Sequence, residues 1–72
     1  LKRLLTTREL YEAAANRTPI FIFYDMEGAV YGPVVIDELT DYHVKVRIDS
    51  EINNFNREWC TFYSSEYIGG SD

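Results

Sequence analysis

The sequence predicts a small α+β domain, an N-terminal helix packed on a strongly bent antiparallel sheet of four to five strands. Three observations carry this prediction. A helix start signal is followed by good helix formers until a proline stops them. Short runs rich in β-branched and aromatic residues then alternate with turn residues. A Gly-Pro pair falls inside the second of these runs, where it marks an edge or a bulge and bends the sheet.

The helix is expected from Thr7 to Asn16. Thr6-Thr7-Arg8-Glu9 fits a capping box, and Leu5 and Leu10 stand at the N′ and N4 positions of a hydrophobic staple. Asn16 suits the left-handed position at the C-terminus, and Pro19 prevents continuation. Leu10, Ala13 and Ala14 make a narrow apolar stripe suited to packing on a sheet.

Ile20 to Tyr24 is apolar on both faces, as in a strand buried from both sides. Asp25-Met26-Glu27-Gly28 supplies a hairpin turn, and the second strand follows from Ala29 to Ile36 with Gly32-Pro33 in its middle. Asp37 to Asp41 reads as the next turn. In the third strand Tyr42, Val44, Val46 and Ile48 face inward and alternate with His43, Lys45, Arg47 and Asp49. The three asparagines between Ser50 and Glu58 indicate a loop pinned by Phe55 or Ile52. Trp59 to Tyr63 forms a fourth strand and Glu66 to Ile68 a short fifth. Residues 1–68 make one domain and 69–72 a flexible tail.

A chain of 72 residues has room for one core, burying about 60% of its unfolded surface. With 46% hydrophobic and 15% aromatic residues it is too apolar to be a disordered acidic tail. One cysteine, Cys60, excludes an internal disulfide framework and a multi-cysteine zinc site, and fits a reducing cytoplasm. The longest apolar run, Ile20 to Tyr24, falls far short of the roughly 20 residues of a membrane helix.

Charge is the one feature that points to function. Of a formal net charge of −5, five carboxylates (Asp25, Glu27, Asp37, Glu38 and Asp41) lie between Thr18 and Val44, a stretch without Lys or Arg. A β-rich region therefore presents an acidic face. In an extended chain Asp25 and Glu27 would lie about 6.6 Å apart on one face, with the other three roughly 25 to 30 Å away. Together with Tyr31, expected to be exposed beside Gly32-Pro33, they form the candidate partner-binding set. Nucleic acid is not an expected partner, because affinity for it depends on neutralising phosphates with Lys and Arg.

No catalytic group is expected. His43 falls on the polar side of the third strand, Cys60 lacks a second thiol or an adjacent histidine, and Ser64-Ser65 belongs to no nucleophile motif. The Asp25 to Gly28 turn lacks the alternating oxygen ligands of a calcium loop, so neither metal nor cofactor is expected.

Gly28, Gly32, Asp37 and Asp41 resemble, in order, the first motif of Sm-like proteins, although the intervals are about one residue short and Asp41 stands where that motif has Asn. This resemblance implies a small SH3-like or Sm-like partial barrel, and with it the alternative function of a module binding RNA or a peptide. In size, acidity and lack of catalytic groups the chain resembles small acidic phage-type proteins that mimic DNA. That resemblance implies a non-enzymatic inhibitor or adaptor whose carboxylates occupy a basic surface, that of a DNA-binding host protein.

Overall fold

The chain enters its first helix through the capping box that the sequence encodes. In a computed structural model, which describes residues 1–65, Thr6 is the N-cap of α1 (Thr7–Ala15) and its hydroxyl accepts from the Glu9 N–H. The Glu9 carboxylate accepts in return from the N–H groups of Leu5 at 2.7 Å and Thr6 at 3.1 Å. The helix ends with Arg17 N–H donating to the Ala14 carbonyl and Thr18 N–H to that of Ala13, so the left-handed residue is Arg17, at φ 55°, and not Asn16. Leu5 stays 70% exposed, so the expected staple is not a buried contact, whereas Leu10 and Ala13 are buried.

These two backbone hydrogen bonds, followed by the charge of Lys2, hold the Glu9 carboxyl below its ordinary pKa. A lowered carboxylate contributes stability that is complete above its unfolded pKa and is lost as pH falls through the folded one. Glu9→Gln is therefore expected to flatten the acid limb of the stability profile and to leave its alkaline side unchanged, as measured by urea unfolding across pH.

Among the described residues, seven strands pair antiparallel throughout: β1 (Lys2–Leu4), β2 (Ile20–Tyr24), β3 (Ala29–Val34), β4 (Ile36–Leu39), β5 (His43–Ile48), β6 (Glu51–Asn56) and β7 (Cys60–Ser64). They form a four-stranded sheet in the order β1-β7-β2-β3 and a three-stranded sheet in the order β4-β5-β6. The α+β class and the bend are as expected. The bend is sharper than a curved strand, however, because the second strand divides at Val35 into β3 of one sheet and β4 of the other.

Four further differences have local causes. The stretch expected to be a loop forms β6, which pairs residue for residue with β5 from Ile48↔Glu51 to His43↔Asn56. Only Phe55 of β6 is buried, and its asparagines are tolerated because they need no core. Asp37 and Glu38, expected in a turn, belong to β4, an edge strand, where charged residues discourage unwanted pairing. Tyr42 is 70% exposed instead of inward, because β5 starts at His43 and the Thr40 hydroxyl accepts from the Tyr42 and His43 N–H groups. In β2 only one face is fully buried, with Ile20 and Ile22 inside and Phe23 38% exposed. The short strand β1 had no expected counterpart, and the strand expected at Glu66 to Ile68 and the tail expected at 69–72 lie outside the described residues.

Ile20, Ile22, Val44 and Val46 are wholly buried and join Leu10, Ala13, Ile36 and Phe62 in the core between the helix and the two sheets. Phe55 links the sheets, meeting Tyr24 edge-on at 5.2 Å and Tyr31 at 5.1 Å between ring centroids. Such pairs add about 0.5 to 1.5 kcal/mol each beyond area burial.

Candidate functional site

The five carboxylates that share one stretch of sequence separate into three places. Asp25 and Glu27 occupy the β2–β3 turn, Asp37 and Glu38 lie on β4, and Asp41 lies in the turn before β5. All five are exposed. The Asp25 to Gly28 segment is a tight turn, with the Glu27 and Gly28 N–H groups both donating to the Tyr24 carbonyl, so the extended-chain spacing does not apply there.

Folding also supplies positive charges that the stretch itself lacks. Lys45, opposite Glu38 in the β4–β5 ladder, pairs with it at 3.3 Å. Arg57 donates to the Thr40 carbonyl at 2.7 Å, to the Asp41 carbonyl at 3.4 Å and to the Thr7 hydroxyl at 2.9 Å, tying the helix start to the β4–β5 turn. Among the described residues, Asp25, Glu27, Asp37 and Asp41 have no ion pair.

Tyr31 is half-buried, contrary to the exposure expected of it. Its ring packs on Phe55 from the inner face of β3, and its hydroxyl donates to Glu27 at 2.5 Å. That bond to a carboxylate holds the phenol above its ordinary pKa. The same bond ties Glu27 of the turn to Tyr31 on β3.

Three residues in or beside the acidic turn were missed by sequence reasoning. The Asp25 N–H donates to the Trp59 carbonyl at 2.8 Å, which brings the 3-10 turn Arg57–Trp59 against the β2–β3 turn. Exposed Glu58 adds a carboxylate to this neighbourhood, and Trp59, 42% exposed, and Met26, 63% exposed, add apolar surface. The signal in the sequence was the Glu58-Trp59 pair itself, which a strand reading of Trp59 absorbed.

Three basic residues, His43, Lys45 and Arg47, fall on β5 of the three-stranded sheet. His43 and Arg47 of β5 are exposed and Lys45 between them is half-buried, so the outer side of the three-stranded sheet carries cations.

Cys60 is half-buried beside the same turn. Its thiol donates to the Asn56 carbonyl at 3.3 Å, and burial, followed by the charge of Asp25, pushes its pKa up to about 11. A thiol this neutral is a poor nucleophile. Alkylation at mildly alkaline pH is expected to be on the order of 100-fold slower in the folded chain than in urea, as followed by mass spectrometry.

Among the described residues no group of three or more His, Cys, Asp or Glu is placed to hold a metal ion, and no helix is long and apolar enough to cross a membrane. Comparison with family models, curated proteins and solved structures returns no match.

Proposed function

We propose that the chain is a non-enzymatic inhibitor or adaptor that presents an acidic surface to a basic protein surface, that of a DNA-binding protein. The observation that carries this reading is that Asp25, Glu27, Asp37 and Asp41 are exposed and have no ion pair among the described residues. Exposed carboxylates that are not engaged in an ion pair are available to imitate phosphates. Their field steers association and fades beyond a Debye length of about 8 Å at physiological salt.

Charge of this kind accelerates encounter and sets register, while affinity is concentrated in a few apolar anchors. Met26 and Trp59 beside Asp25 fit the anchoring role. Glu38 contributes less, since its charge is already shared with Lys45.

The test is affinity capture from bacterial lysate on immobilised chain, with elution by a salt gradient. Retention of a basic protein that elutes as salt rises supports the reading. Retention of nucleic acid by the purified chain, or retention indifferent to salt, rejects it, and direct nucleic-acid binding favours the Sm-like alternative instead.

A further inference from the structure

Arg17, after the helix, and Arg47, on β5, meet across a shallow cleft of about 420 Å³ floored by Pro19, Pro33, Val34 and Val35. Asp37 also borders the cleft, which leaves it with a local excess of positive charge in an acidic chain. Neither guanidinium makes an ion pair among the described residues. Arg17 moreover holds φ 55°, at the position after a helix end where glycine is least strained. The backbone favours glycine there, and a long cation stands in its place.

At the opposite end of β3 the Asp25 to Gly28 turn offers the chemical complement. Met26 is 63% exposed and lies between exposed Asp25 and Glu27 in the sequence of the turn. An apolar side chain flanked by two anions matches an apolar floor flanked by two cations, with guanidinium–carboxylate hydrogen bonds fixing the orientation. The six residues of β3 separate tip from cleft, and at about 3.3 Å per residue that is roughly 20 Å, too far for contact within one molecule.

We propose that a second copy of the chain is the occupant: the Asp25-Met26-Glu27 tip of one molecule seats in the Arg17/Arg47 cleft of the next. Because the contact joins two different patches it is heterologous, and it builds rings or chains in place of a two-fold dimer. The inference goes beyond the partner binding proposed above and does not rest on it. Self-association would bury the same tip and so withdraw it from any other partner.

Sedimentation velocity on the purified chain tests this from micromolar to millimolar concentration. At low salt the average mass is expected to rise with concentration past that of a dimer, and to return to monomer as salt screens the contact. The variants Arg17→Glu with Arg47→Glu, and Asp25→Lys with Glu27→Lys, should each remain monomeric, and an equimolar mixture should associate again. A wild-type chain that stays monomeric at millimolar concentration and low salt overturns the proposal, as does a mixture of the two folded variants that fails to associate. The wild-type series needs no variant, so a folding defect in either leaves the test decisive. No other protein is present, so failure here leaves the partner-binding reading standing.

Discussion

Gly32→Ala is expected to destabilise the domain by roughly 3 kcal/mol, the sum of backbone strain and a steric clash. Gly32 holds φ 145°, a conformation L residues rarely adopt, and a Cβ there would lie 2.7 Å from Phe21 Cδ1 and 2.8 Å from the Ile20 carbonyl oxygen. The Phe21 ring is half-buried and can turn aside. The Ile20 carbonyl has less freedom, because Ile20 is wholly buried and pairs with both Ser64 and Val34. In a domain whose total stability is of order 5 kcal/mol, such a loss should populate the unfolded state visibly. Gly28→Ala is the control. Gly28 has φ 64° and open space where its Cβ would lie, so only the left-handed backbone cost of about 1 kcal/mol applies. Urea unfolding with an unchanged m-value should separate the two variants by roughly 2 kcal/mol. Equal costs would mean that β3 does not approach β2 closely at its register shift.

The second large effect is on binding. With Asp25→Asn, Glu27→Gln, Asp37→Asn, Glu38→Gln and Asp41→Asn combined, affinity for the basic partner is expected to fall on the order of 10- to 100-fold, as the loss of several exposed charge contacts worth a few tenths of a kcal/mol each. The loss should lie mainly in slower association, and the slope of affinity against salt should flatten. Stability should change little, because all five side chains are exposed, Glu38 alone of the five has an ion pair among the described residues, and after Glu27→Gln the amide oxygen can still accept from Tyr31. Stopped-flow association over a range of salt measures both quantities. Unchanged rates and salt slope in the folded variant would transfer attention to Trp59 and Met26.

How much was legible in the sequence depended on whether a feature is local. The capping box at Thr6 and Glu9, the stop before Pro19 and the left-handed Gly28 turn are set by residues within four positions of one another, and each is found. The Gly32-Pro33 bend was legible as curvature, but not as a division between two sheets, which the partners of Val34 and Ile36 decide. Strand β6 was hidden because Asn53, Asn54 and Asn56 carry the chemistry of turns, and the pairing that overrides it comes from β5. The candidate site shows the same limit. Five carboxylates without a neighbouring cation in sequence are plain to see. That Lys45 reaches Glu38 across a ladder, that Arg57 closes on the Asp41 turn, and that Tyr31 turns inward on Phe55 are consequences of pairing between distant segments.

Competition with duplex DNA for the captured basic protein tests the central claim most directly. If the carboxylates stand in for phosphates, chain and DNA occupy one surface, and a fluorescent duplex bound to the partner should be displaced fully as the chain is added. Displacement should weaken in the five-carboxylate variant in proportion to its lost affinity. A stable ternary complex of partner, duplex and chain, with the duplex still bound at saturating chain, would contradict the claim.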